Sequence, residues 1–328
     1  MDSDRPQKTI VGMEEEKKVY PLTFTTLEDK YAWGKEEFKL ADLGYRDSYI
    51  REGWLAGNLL SEVMDMYMDS IVGENVFGLY GRQFPFQIKN ITVSGKMPLR
   101  VHPGDTVAEQ RYDALGKEKL WIITNAGKDA RLALGFREDT TAGKLVEGCT
   151  EGDIEGILNI RPVREGEYFL IPSGTPHAAL GELSILEISE SSALDFCLSG
   201  WGEEVSSEEF DPEMSLEEAL DFINYSSWQE PETGAGTGEL VSIPQFSVRT
   251  IALDDPIHIH EGDFDSCVAY FCVNGKASVR TAGEESGDLC ITLDKNRVIL
   301  VPADVTDFTV TPVEAGTELI EVYVKTVS

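Results

Sequence analysis

The chain has 328 residues, 41% of them apolar, with 14 phenylalanines and a formal net charge of −31. That length supports two domains or one large β-rich domain, the apolar fraction is that of a chain with real cores, and no apolar run is long enough to span a bilayer. So negative a field would repel a phosphate backbone or an anionic membrane, so nucleic-acid and membrane binding are excluded, and an anionic ligand would need a local basic pocket.

The N-terminal MDSDRPQKTIVGMEEEKK is charged throughout and lacks the apolar core of a secretory signal. Cys149, Cys197, Cys267, Cys272 and Cys290 are scattered, odd in number and form no CxxC pair. Reduced thiols in a cytoplasmic setting are expected.

The first helix signal is NLLSEVMDMYMDSIV at 58–72, where Leu60, Val63, Met64, Tyr67, Met68 and Ile71 form one apolar stripe. The methionines there read as core packing. From 84 to about 200 the pattern turns to strands: FPFQIKNIT, KLWIIT, RLALGF, GILNI, EYFLIP and LSILEIS, separated by Gly, Pro or Asp turns. An acidic stretch without Lys or Arg follows at 203–239; inside it SLEEALDFINY carries Ser215 and Glu218 at capping-box spacing, and QEPETGAGTGE reads as a linker. The acidity itself reads as a solvated face. A second β-rich segment runs from about 241 to 328, with SVRTIAL, SCVAYFCV, KASVRT, CITL, RVILVPA, FTVTP and ELIEVYV.

RVILVPADVTDF in the second segment repeats the logic of YFLIPSGTPH in the first, an apolar strand ending at Pro before a polar corner. The expected fold is mainly β: two β-barrels with a few helices before and between them. The expected divisions are 1–202, an acidic helix and linker at 203–240, and 241–328. His177, presented on the turn Pro172-Ser173-Gly174, is a candidate metal ligand. The other histidine step, His258 and His260 in IHIHEG, lacks a third ligand and reads as two half-exposed strand residues.

Gly166, Pro172, Gly174 and His177 match the second motif of the cupin superfamily at every fixed position. FPFQIKNITVSGKMPLRVHP at 84–103, LGKEKLWII at 115–123, IPSGTPHA at 171–178 and LEISESS at 186–192 together resemble type I mannose-6-phosphate isomerase. The resemblance extends to WG at 33–34, LAGNLLSEV at 55–63 and SLEEALDFINY, and weakens beyond 240. It implies paired cupin-type jelly-roll barrels and an aldose–ketose isomerase acting on a sugar phosphate through an enediol. It also implies one zinc held by a Gln and His in a Q-V-H step, by a Glu on the next strand and by a His after the Pro-turn.

Carried over position by position, His102 and His177 stand at the two histidines, Arg100 at the Gln, Lys119 at the Glu, and Cys197 at an assisting arginine; Lys89 matches a lysine of the pattern. A guanidinium and an ammonium offer zinc no lone pair and repel it, so zinc is expected to be absent or weakly bound. Glu118 is a weak substitute ligand, since it reaches the site only if a bulge re-aims it. With His102 and His177 it would suit iron or manganese. Alternatively, Lys89, Arg100 and Lys119 line a basic pocket for a sugar phosphate or another small anion, Lys119 having the further option of acting as a base. Arg100 has Glu118, Glu187 and Asp105 as candidate partners. Three functions follow: interconversion of mannose-6-phosphate and fructose-6-phosphate, catalytically inactive sugar or anion binding, or a different metal-dependent reaction. Whether the chain is an enzyme is left open, because two metal ligands and the assisting arginine are replaced.

Overall fold

The computed structural model describes residues 18–206, 209–231, 238–281 and 289–325. The N-terminal stretch read as lacking a signal, and most of the predicted linker, lie outside the described residues. The fold is mainly β and of cupin type, as expected.

The first barrel is one ten-stranded sheet organised around the strand His177–Glu190. One flank of that strand pairs with Phe86–Lys96 and then Leu99–Val101, the other with Lys119–Ala126 and then Arg131–Phe136. Because it is paired on both edges and packed on both faces, it is a nearly continuous run of buried residues rather than a simple alternation. Leu183 and Ile185 face a core with Trp33, Trp121 and Ile123. Leu186 and Ile188 face a second core that joins the two barrels through Leu60, Val63 and Met64 to Leu300, Ile320 and Val322.

The second barrel is a sandwich. A six-stranded sheet that includes Val268–Asn274 and Thr317–Tyr323 packs on a four-stranded sheet that includes Lys276–Thr281 and Phe308–Pro312. Tyr270, Val279, Val310 and Leu319 meet between them. The chain's early strand Leu22–Thr23 joins the six-stranded sheet, with Leu22 opposite Leu300.

Two local expectations fail for tertiary reasons. The stripe at 58–72 is not one helix: Leu60–Tyr67 ends at Met68, whose φ is 45°, and Asp69–Val72 forms a separate turn of helix. The break frees the carbonyls of Ser70, Ile71 and Val72 to accept from Asp304, Ala303 and Cys267 of the second barrel. Those bonds hold the helices to that barrel. The helix after Ser215 covers only Leu216–Ala219, and Ser215 makes no side-chain cap. There the backbone bonds outward instead, Asn224 N–H donating to Gly174 O at 2.8 Å.

Candidate active site

The strand register assembles the polar centre of the first barrel. Glu187 lies opposite Lys89 on one neighbouring strand and opposite Trp121 on the other. Its side chain is fully buried. Oε2 accepts from Trp121 Nε1–H at 2.6 Å and lies 3.3 Å from Lys119 Nζ, while Oε1 lies 3.5 Å from Lys89 Nζ. Burial alone would raise this carboxyl, but Lys119, Lys89 and Lys117, with the indole N–H, hold it well below the usual carboxylate range. Burial likewise opposes the charge of Lys89, and Glu187 and Glu36 more than offset it, holding that ammonium above its ordinary pKa.

Arg100 sits beside this group on Leu99–Val101, directly opposite His177. None of its three candidate partners is the one it takes. Nη1 donates to Glu36 Oε1 at 3.1 Å and Asp195 Oδ2 at 3.0 Å, and Nη2 donates to Glu209 Oε1 at 3.0 Å. The correction comes from segments far away in sequence, which local patterning does not register.

The two histidines form a matched pair with ring centroids 5.0 Å apart. Nδ1 of His102 lies 2.8 Å from Leu194 O, and Nδ1 of His177 lies 2.8 Å from Thr175 O. A carbonyl only accepts, so each Nδ1 carries the hydrogen and each Nε2 turns a lone pair inward. That is how a metal-binding imidazole is oriented. Gly174, with φ 76°, fixes the turn, its N–H donating to His102 O at 2.7 Å. Burial, then the charge of Lys119, keeps both rings neutral, with His177 lowered to about 3.

The side chain that meets the lone pair of His102 is Lys119. Its Nζ donates to His102 Nε2 at 2.8 Å, while His177 Nε2 is buried with no hydrogen-bond partner. An N–H donor thus lies on the lone pair a metal would take. Among the described residues no group of three or more His, Cys, Asp or Glu is placed to hold a metal ion. The residues present do not fit a zinc of the kind the resemblance implies.

Glu118 is not brought to the pair. It precedes the strand Lys119–Ala126, and its Oε1 accepts from Ser173 N–H at 3.1 Å. Cys197 is half-buried on Phe196–Ser199, opposite Arg100, with its thiol pushed up to about 12 by burial. His258 and His260 are both exposed and bond separately, to Thr309 Oγ1 at 3.0 Å and Asp307 Oδ1 at 3.3 Å.

An open cleft of about 1400 Å³ lies above this centre, with Trp33, Gln87, Lys89, Arg100, Lys117 and Glu209 in its walls. Gln87 is anchored by Nε2–H donating to Ser189 Oγ at 2.9 Å. Lys117 does not stand out in the sequence as a candidate, although it fills the lysine of the resembled G-K-x-E-x-W step; that match was the available signal. It is 5% exposed, and burial, then the neighbouring charge of Lys119, lowers its pKa to about 7.

No protein-family model matches the chain. Among curated proteins it is similar to "Probable mannose-6-phosphate isomerase GmuF" of Bacillus subtilis, at 31% identity over 147 residues. That match covers 44% of each chain, less than half the relative's length. It is also similar to "Mannose-6-phosphate isomerase ManA" of the same organism, at 26% identity over 233 residues, 65% of this chain and 71% of that one. The crystal structure of the mannose 6-phosphate isomerase from Bacillus subtilis superposes with a TM-score of 0.77 at 20% identity, covering 93% of this chain and all of that one. A phosphomannose isomerase from Salmonella typhimurium, solved as a point mutant, shares the fold with a TM-score of 0.70 at 15% identity, covering 94% of this chain and all of that one.

Proposed function

We propose, from its similarity to curated mannose-6-phosphate isomerases and the fold it shares with solved ones, that this chain belongs to that family and interconverts mannose-6-phosphate and fructose-6-phosphate, or a closely related pair of sugar phosphates. The observation that carries the reading is the cleft itself. Lys89, Arg100 and Lys117 converge on it beside the carboxylates of Glu36, Asp195 and Glu209, so that in a protein of net charge −31 the cleft gathers the cations that a sugar phosphate would need.

The reaction needs one proton taken from C2 of the open-chain sugar and one returned at C1, with the C2–H electron pair forming the C1–C2 double bond of an enediol. A hydroxyl proton passes from O2 to O1, and no oxidant or reductant is consumed. Lys117 is the best-placed base: its amine reaches the cleft, and burial gives it a substantial neutral fraction near pH 7. Lys89 and Arg100, fixed as cations by Glu36 and Glu187, supply field and orientation. We further propose that the chain carries no stoichiometric zinc, because Lys119 already donates to His102 where the ion would bind.

The test is a coupled assay in which fructose-6-phosphate formed from mannose-6-phosphate is read out, with and without chelator. Turnover in both conditions is expected. Absence of turnover above a heat-inactivated blank would overturn the isomerase reading.

A further inference from the structure

Arg100 is held from three sides, and one of them differs in kind from the others. Glu36 stands on the barrel strand Gly34–Leu40, and Asp195 immediately precedes Phe196–Ser199. Glu209 belongs to the acidic stretch that begins at 203, outside the barrel strands. A single oxygen of Glu209, Oε1, accepts both from Arg100 Nη2 at 3.0 Å and from Trp33 Nε1–H at 2.6 Å. Phe210 follows it and closes over the guanidinium, whose Cζ lies 4.8 Å from the Phe210 ring centroid and 5.3 Å from that of Trp33. The Arg100 side chain is 4% exposed, and its Nε is buried without an acceptor.

Two convergent donors, an aromatic pair bracketing a guanidinium and a spare N–H describe a receptor for an oxyanion. In this structure the oxyanion is the protein's own carboxylate. We propose that Arg100 and Trp33 form a phosphate subsite of the cleft, that Glu209 fills it intramolecularly, and that an incoming phosphate ester binds by displacing Glu209. This rests on the sugar-phosphate reading above for the class of ligand, though not for the existence of the receptor.

The origin of the carboxylates supports the exchange. Lys89, Arg100, Lys117 and Lys119 face Glu36, Glu187, Asp195 and Glu209, and only the last of these carboxylates comes from outside the barrel strands and their immediate ends. With Glu209 withdrawn, Arg100 Nη2 and Trp33 Nε1–H lose the acceptor they share, and an incoming oxyanion replaces it. Burial, with the neighbouring carboxylates of Glu36 and Asp195, raises the pKa of Glu209 despite Arg100 and Trp33.

The experiment is calorimetric titration of the full chain and of Glu209→Gln with inorganic phosphate, mannose-6-phosphate and unphosphorylated mannose. Glu209→Gln is expected to bind phosphate and mannose-6-phosphate about tenfold more tightly than the native chain, because the competing anion is gone. Mannose affinity should not change. Glu213→Gln removes one charge from the same acidic stretch and should leave all three affinities unaltered. Should Glu209→Gln fail to fold, Glu209→Asp keeps the charge while withdrawing the carboxylate, and should fall between the two. Equal phosphate affinity in the native chain and the Glu209 variants would overturn the subsite. Tighter phosphate binding without turnover in the coupled assay would sink the isomerase reading alone, and turnover without tighter binding would sink the subsite alone.

Discussion

Nζ of Lys119 lies 2.8 Å from Nε2 of His102, on the imidazole lone pair that a metal ion would otherwise use. The ring is oriented as a ligand by Leu194 O, and what it meets is a donor. The ammonium cannot share that lone pair with a dication, so the two occupants exclude each other.

Elemental analysis of protein purified without chelator should therefore find zinc far below one equivalent. Combining Arg100→Gln with Lys119→Glu restores two oxygen donors beside His102 and His177 and should raise zinc content towards stoichiometric, with thermal stabilisation on zinc addition. If the double variant held no more zinc than the native chain, the exclusion argument would fall.

Lys117→Met should fold, since it removes a cation that burial already disfavours, and should lower kcat by about 10²–10⁴-fold. In the native chain kcat/KM should rise with pH through about 7, the value to which Lys117 is lowered, because the neutral amine is the active form. A rate that is flat between pH 6 and 8 would remove Lys117 from the base role.

Glu187→Gln strands Lys89 and Lys119 beside a neutral amide and should cost about 3–5 kcal/mol in denaturant unfolding at neutral pH. The sign with pH follows from a folded-state carboxyl held well below its ordinary value of 4.5. The stabilisation is present above about pH 4.5 and is lost as pH falls towards the depressed folded value, so the gap between native and variant should narrow in acid.

Glu190 carries the opposite sign. Burial, opposed by the N–H of Glu118, pushes its carboxyl up to about 8. Its contribution is full below about 4.5 and is lost as pH rises through 8, because ionising the buried group then costs stability. Glu190→Gln, which retains an oxygen for the Glu118 N–H, should raise Tm at pH 9 and change it little at pH 4. A pH-independent difference would contradict this.

Gly174→Ala places a Cβ 2.6 Å from Phe222 O at a backbone φ of 76°. The turn that presents His177 must then move, and a loss of about 1–3 kcal/mol is expected by thermal or chemical denaturation.

What was legible in the sequence was whatever is encoded at short range. The period-two runs and Pro-Gly corners predict a mainly β chain, and the step from Gly166 to His177 predicts a strand ending in a fixed turn; both are what folds. His102 was readable beside Arg100 and Lys119 only through a resemblance, because nothing local says that two strands bring those positions together. The single helix at 58–72 and the cap at Ser215 looked complete as local patterns. They gave way because backbone bonds to Ala303, Asp304 and Gly174 satisfy more groups than the local pattern does.

The sequence by itself determined the mainly β class and the overall acidity, since composition and periodicity suffice for these, while Arg100 and Lys119 stand out only against the ligand set that the resemblance implies. Only the tertiary structure decided what those substitutions do. It set Glu187 between Lys89 and Trp121, gave Arg100 the carboxylates of Glu36, Asp195 and Glu209, and laid Lys119 on His102. The partners of Arg100 lie 64, 95 and 109 residues away. A buried charge takes its pKa and its role from the groups the fold places within a few ångströms, and strand register, not proximity in sequence, selects them.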